Sequence, residues 1–204
     1  MKIRILCIGD SHTAGFPLFD PIYGGDSQSS YEYWLNLLLS KQFSGISFDI
    51  DNKGICGQGS REILHRLNTN LSKFRYDLVV FWAGANDIAI GYSVKTIWEN
   101  LWRAFEFSID KSEAFILVTI PPMNWPGINA RIIQLNEKIR KNSDNTTYLY
   151  ADAYNVLVLE NQGILDPVYD AGDGVHLSID GYEQVGKEIF NRTIPLIQTI
   201  LART

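Results

Sequence analysis

Cysteine and histidine are both scarce in this 204-residue chain, and their scarcity narrows the chemistry available to it. Only Cys7 and Cys56 are present, far apart and in neither a disulfide framework nor a zinc-ligand spacing. Both are expected to be free thiols, with Cys56 a small buried packing residue beside Gly57. Of the three histidines, His12, His65 and His176, none has glutamate or cysteine neighbours at ligand spacing, which argues against a metal site. His65 sits off the apolar face of its segment and should be solvated. Excess positive charge is also missing: 18 basic against 23 acidic residues give a net charge of -5, the wrong sign for nucleic acid or an anionic membrane. No apolar run approaches the roughly 20 residues of a membrane span. Internal repeats, low-complexity segments and linkers are absent, so one domain over residues 1–204 is expected. Gly54, Gly57 and Gly59 are near one another, but they form neither a dinucleotide fingerprint nor a phosphate loop with its Lys-Ser/Thr.

Met1-Lys2 leads directly into Ile3-Arg4-Ile5-Leu6-Cys7-Ile8, too short for a signal peptide and followed by a Gly-Asp turn rather than a small-residue cleavage site. A cytoplasmic location is therefore expected. Asn70, Asn145 and Asn191 begin Asn-X-Ser/Thr triplets, which matter only in a secreted protein.

Apolar, β-branched runs alternate with longer amphipathic stretches, the pattern of βαβ units and a parallel sheet. Strands are expected at 2–8, 46–51, 77–83, 114–120 and 147–151. The third and fourth are almost wholly apolar, as central strands covered on both faces should be. Helices are expected at 31–42, 59–73, 94–109, 127–142 and 178–203. One face of the second should carry Ile63, Leu64, Leu67 and Leu71, and one face of the third Ile97, Leu101, Phe105 and Ile109. Ser93 and Ser178 are placed to cap helices, and Pro195 should kink or break the last one. The fold class is thus α/β, a three-layer sandwich around a central five-stranded parallel sheet, in the flavodoxin-like manner.

Open parallel sheets bind ligands beyond the carboxyl ends of their strands, so chemistry is sought in the loops there. They read Gly9-Asp10-Ser11-His12-Thr13-Ala14-Gly15 after the first strand, Asn52 to Gly59 after the second, Gly84-Ala85-Asn86-Asp87 after the third, and Asp173-Gly174-Val175-His176 before the last helix. A serine hydroxyl becomes a useful nucleophile only when a base takes its proton, a carboxylate orients that base and donors await the developing oxyanion. Ser11 could be the nucleophile and His176 the base. Asp173, three residues before His176, could orient it, with Asp170 a competitor six residues away. The Ser11 amide, the unobstructed amide of Gly57 and the side-chain amide of Asn86 could together form an oxyanion hole. Taken alone, Gly9-Asp10-Ser11 could equally be an ordinary strand-to-helix turn with a capping serine. Asp87 is expected to cap a helix N-terminus and steady Asn86.

These four blocks, in this order and each after the expected strand, resemble the SGNH hydrolases, also called GDSL-type esterases and lipases. The family's serine, glycine, asparagine and histidine fall on Ser11, Gly57, Asn86 and His176, spanning almost the whole chain. The resemblance implies that Ser11 is the nucleophile, His176 the general base and Asp173 its partner, with Ser11, Gly57 and Asn86 as oxyanion donors. It implies a serine esterase that needs no cofactor, whose partner is a small-molecule ester and neither nucleic acid nor a membrane. Sugar deacetylase, lysophospholipase and thioesterase are variants within the family's breadth. His12 departs from the pattern, since many members carry leucine there, and residues 16–30 look longer than a minimal member needs. Trp82, Tyr92, Trp125, Phe16 and Tyr23 lie in or beside the strand-end loops, where rings could wall an acyl pocket or stack on a sugar. Two other classes remain beside this one: a non-catalytic module binding a small ligand or carbohydrate in the same place, and a flavodoxin-like FMN or phosphate binder.

Overall fold

A computed structural model of the chain describes residues 1–144 and 146–203; Asn145, the first residue of its glycosylation triplet, and Thr204, the last residue of the expected domain, lie outside the described residues. Among the described residues, five parallel strands form the central sheet: β1 (Lys2–Gly9), β2 (Ser47–Gly54), β3 (Leu78–Trp82), β4 (Ala114–Val118) and β5 (Tyr148–Ala151). Their order is β2-β1-β3-β4-β5. The chain therefore reverses its direction of travel across the sheet at β1 and β3, and the crevice at their carboxyl ends is where such a sheet places a ligand.

Alternate residues of each central strand feed two separate cores, as the two-residue period requires. Ile5, Cys7, Val80, Trp82, Ile116 and Val118 lie in one core with α2 (Tyr31–Gln42), the short α7 (Ala153–Leu157) and the long α8 (Ile179–Ala202). Leu6, Ile8, Val79, Phe81, Phe115 and Leu117 face α3 (Ser60–Lys73), α5 (Val94–Ile109) and α6 (Asn129–Lys141). Every residue of β3 and β4 is buried, as expected for the sheet's centre. At the edge, β2 is only half-buried and carries Asp49 and Asp51, which pair with Arg4 across the strands; charged side chains of this kind guard an edge against further pairing.

The expected α5 face is rotated slightly. Ile97, Leu101 and Phe105 are buried with Ala104 and Ser108, whereas Ile109 is exposed at the helix end. Ser93 and Ser178 cap α5 and α8, accepting from the amides of Thr96 and Gly181. Pro195 does not break α8, which runs through it to Ala202. An interior proline costs about 3 kcal/mol. Tyr182, Val185, Ile189, Leu196, Ile197 and Ile200 are buried on both sides of it, each contributing roughly 1.5–3 kcal/mol, so packing decides the outcome. Two small antiparallel pairs, Phe19–Asp20 with Gly24–Gly25 and Val158–Leu159 with Ile164–Leu165, decorate the loops. The first folds the long 16–30 segment back on itself.

Close packing around the first strand-end turn depends on glycine. A Cβ on Gly9 would collide with the Thr13 side chain and the Trp82 carbonyl, and one on Gly54 would collide with the backbone of Thr13 and Ala14. The two glycines let β1, β2 and the turn after β1 approach one another at the crevice. No helix among the described residues is long and apolar enough to cross a membrane.

Candidate active site

Ser11 opens α1 (Ser11–Ala14), one helical turn placed directly after β1. Asp10 caps it by accepting from the His12 amide at 3.0 Å, and Gly15 closes it in the left-handed conformation at φ 99. The tight turn holds the Ser11 side chain at the crevice. His176 arrives from the other end of the sequence: its Nε2 stands 3.1 Å from Ser11 Oγ, and its Nδ1 stands 2.6 Å from Asp173 Oδ2. The other carboxylate oxygen of Asp173 accepts from the amides of Val175 and His176 at 2.9 and 2.8 Å.

Desolvation opposes the charge on Asp173, but the hydrogen bonds from the His176 ring, its amide and the Val175 amide outweigh it and hold the carboxyl down at about 2. The group is therefore an acceptor at neutral pH. It fixes the proton of His176 on Nδ1 and leaves Nε2 free to accept from the Ser11 hydroxyl. Asp170 is occupied elsewhere, accepting from the amides of Gly172 and Gly174 and from the Asn124 side chain. It shapes the loop and does not touch the imidazole.

Asn86 lies in α4 (Ala85–Ala89), a short helix where an irregular loop was expected, and its Nδ2 donates to the Gln58 carbonyl at 2.9 Å. The side-chain amide thereby meets the segment that carries Gly57. Gly57 itself is exposed, adopts φ 78 and is not among the residues lining the cleft beside Ser11. Asp87 does cap a helix, although not its own. Its carboxylate accepts from the Ser60 amide and hydroxyl, both at 2.7 Å, at the start of α3. Cys56 is exposed, contrary to the expected burial, because its loop turns outward between β2 and α3.

The cleft beside Ser11 encloses about 190 Å³, and Ala85, Ala89, Met123, Trp125 and Val175 form much of its wall around Ser11, Asn86, Asp173 and His176. Trp125 reaches it because Asn129 brackets Met123 with two hydrogen bonds and the Asn124 amide donates to the Gly174 carbonyl. Phe16 packs edge-on against the His176 ring at 4.5 Å. Trp82 is buried, donates to the Thr119 carbonyl and lies under His12, so it is a floor and not a wall. A larger groove of about 570 Å³ between α3 and α5, lined by Arg61, His65 and Arg103, shares no residue with this cleft. Among the described residues, no group of three or more His, Cys, Asp or Glu side chains could hold a metal ion.

Two contributors escaped sequence reasoning. Arg66 of α3 donates to the carbonyls of Gly9 and Lys53 and to the Gln58 side chain, lacing the first two loops together. His12 is buried and its Nε2 meets the Val175 carbonyl at 3.0 Å. The only signal for the second was the exchange of an apolar residue for histidine next to Ser11.

The model of the GDSL-like lipase/acylhydrolase family matches residues 7–184. A multidomain esterase from Ruminococcus flavefaciens is 27% identical over 124 residues, a match spanning 57% of this chain and only 15% of that protein's length. Among solved structures, an acetylxylan esterase from Geobacillus stearothermophilus superposes with a TM-score of 0.76 at 19% identity, covering 93% of each chain. A lipolytic G-D-S-L family protein from Veillonella parvula gives a TM-score of 0.73 at 18% identity, covering 93% of this chain and 97% of that one. A GDSL-like lipase from Bacteroides thetaiotaomicron gives 0.72 at 21% identity, covering 96% and 88%. At these identities the three structures speak for the fold.

Proposed function

The chain belongs to the GDSL-like lipase/acylhydrolase family, and from that premise we propose that it is a serine ester hydrolase acting on small carboxylic esters through an acyl-enzyme on Ser11. The observation that carries this reading is the unbroken chain of contacts from the Asp173 carboxylate through both nitrogens of His176 to Ser11 Oγ. In the proposed reaction Ser11 Oγ attacks the acyl carbonyl while His176 Nε2 takes its proton. The imidazolium formed is stabilised by ionised Asp173. The oxyanion is received by the Ser11 amide, the Gly57 amide and the Asn86 side chain; Asn86 has to turn from the Gln58 carbonyl toward substrate, and the loop bearing exposed Gly57 has to move in toward the cleft. His176 then hands its proton to the departing alcohol. A water molecule, deprotonated by the same nitrogen, releases the acid and restores Ser11. No cofactor enters these steps.

Cleft size supports a short acyl group. Drug-sized ligands occupy pockets of roughly 300–1,000 Å³, and about 190 Å³ bounded by Met123, Trp125 and Val175 suits acetyl to butyryl chains better than a fatty acyl chain. Half-exposed Trp125 offers the alcohol a flat apolar face, which suits a sugar ring, and the resemblance in fold to an acetylxylan esterase supports the same choice. The proposal extends to one catalytic unit working in the cytoplasm, with a small-molecule ester and neither nucleic acid nor a membrane as its partner.

The test is turnover of acetyl, butyryl and decanoyl p-nitrophenyl esters and of acetylated xylo-oligosaccharides by wild type and Ser11→Ala. Turnover should be confined to the short acyl groups and lost in the variant. Full turnover by Ser11→Ala would sink the mechanism, and preference for decanoyl ester would sink the acyl assignment. Sugar binding without turnover in wild type would favour a ligand-binding module.

A further inference from the structure

His12 follows the proposed nucleophile and is almost wholly buried, with 1% exposure. Its ring lies 5.0 Å from that of Trp82 and 5.7 Å from that of His176, centroid to centroid. The Nε2 partner is the Val175 carbonyl, which can only accept, so Nε2 carries a proton. Nδ1 faces Asp10 Oδ1 at 3.4 Å, an ionic contact longer than a close hydrogen bond, and has no other partner among the described residues. A neutral ring would turn the Nδ1 lone pair toward that oxygen, which already accepts from the His12 amide, and would leave Nδ1 buried and unsatisfied. A proton on Nδ1 removes the conflict.

We propose that His12 is a positioning residue, an imidazolium that links the Asp10 carboxylate to the Val175 carbonyl and so sets the Asp173–His176 loop at the correct distance from Ser11. Val175 lies between Asp173 and His176 in sequence, so a clamp on its carbonyl acts on both. The proposal rests on Ser11 being the nucleophile. The turn bearing Ser11 and the loop bearing His176 then meet at two points: Oγ with Nε2 of His176, and Nε2 of His12 with the Val175 carbonyl.

The surrounding charges favour this protonated form. Burial works against it, but Asp10, the Val175 carbonyl and the more distant Asp173 together raise the affinity of His12 for its proton. The charged and titratable groups around it are Asp10 on its own turn, Asp173 and His176 on the opposing loop, and Arg66 from α3, which acts on Asp10. From β3, Trp82 presents only an indole ring.

A displacement of about 1 Å at a reacting group can cost 10²-fold in rate. His12→Leu should therefore lower kcat on p-nitrophenyl acetate by about 10- to 100-fold while KM moves by less than about 3-fold. His12→Gln, which can offer a neutral N–H to the Val175 carbonyl but no charge to Asp10, should recover only part of that loss. Wild-type kcat should decline at alkaline pH as His12 loses its Nδ1 proton, and His12→Gln should lack that decline. Nitrogen-15 NMR of the wild-type ring at neutral pH should show both nitrogens protonated. A His12→Leu enzyme with unchanged kcat and pH profile would overturn the proposal, as would an unprotonated Nδ1 in wild type. The NMR readout needs no turnover, so an inactive wild type would refute the esterase reading and leave the His12 assignment to be decided by the spectrum.

Discussion

Substituting Gln for Glu32 removes a proton that the folded protein holds at neutral pH. Glu32 lies in the first turn of α2, where a helix N-terminus favours an anion by about 0.3–1 kcal/mol, yet its carboxyl is buried. One oxygen accepts from the Ser30 hydroxyl at 2.7 Å, and the other has no partner among the described residues. The neighbouring Tyr31 hydroxyl faces Cys7 and Thr13 without a hydrogen bond of normal geometry. Burial dominates these weaker influences and pushes the Glu32 carboxyl from 4.5 up to about 8. The unfolded chain gives up this proton near its ordinary value, so the folded state binds more protons across the window from about 4.5 to about 8. Stability contributed by Glu32 is thus complete below that window and is lost as pH rises through it. Each pH unit inside the window removes about 1.4 kcal/mol, or roughly 3 kcal/mol by neutral pH. Glu32→Gln keeps the shape and neutral state while abolishing the titration. Urea unfolding of both proteins at about pH 5, 6, 7 and 8 should show the variant gaining on wild type by roughly 1 kcal/mol per unit, ending the more stable of the two. Parallel stability curves would refute a protonated Glu32.

Further outcomes bear on the cleft. Asp173→Asn should lower kcat about 10³- to 10⁴-fold by releasing the His176 tautomer, whereas Asp170→Asn should leave kcat within a few-fold of wild type; steady-state kinetics on p-nitrophenyl acetate distinguish the two, and a crippled Asp170→Asn would transfer the role. Because the Asp173 carboxyl is held at about 2, the kcat/KM profile should show no step between about pH 5 and 3 where an ordinary carboxylate titrates. Asn86→Ala should cost about 10²- to 10³-fold in kcat with little change in KM, the mark of an interaction made in the transition state.

Much of this arrangement was legible in the sequence because it rests on local signals. The short buried run Leu78–Trp82, rich in β-branched and aromatic residues, suits a central parallel strand, and the loops after β1 and β3 follow from that placement. The Asp-X-X-His spacing places both side chains on one loop, so Asp173 could be favoured over Asp170 before any distance was known. What was not legible depends on contacts between distant segments. Pro195 reads locally as a helix breaker, and only the burial of α8 on both sides of it overrides that reading. Cys56 reads as packing because cysteine is usually buried, but the direction of its loop is set by β2 and α3. Two-residue strands are too short for periodicity to register. The clamp from His12 to Val175 joins residues at opposite ends of the chain, and no local pattern announces it.

The proposed mechanism requires Ser11 to be an activated nucleophile, a state that covalent labelling reads without any substrate. Wild type, Ser11→Ala and His176→Ala are treated with a fluorophosphonate, and the modified residue is located by peptide mass spectrometry. One rapid adduct is expected on Ser11 in wild type, none on that peptide in Ser11→Ala and strongly slowed labelling in His176→Ala. An adduct elsewhere, or equal labelling of Ser11 with and without His176, would contradict the mechanism.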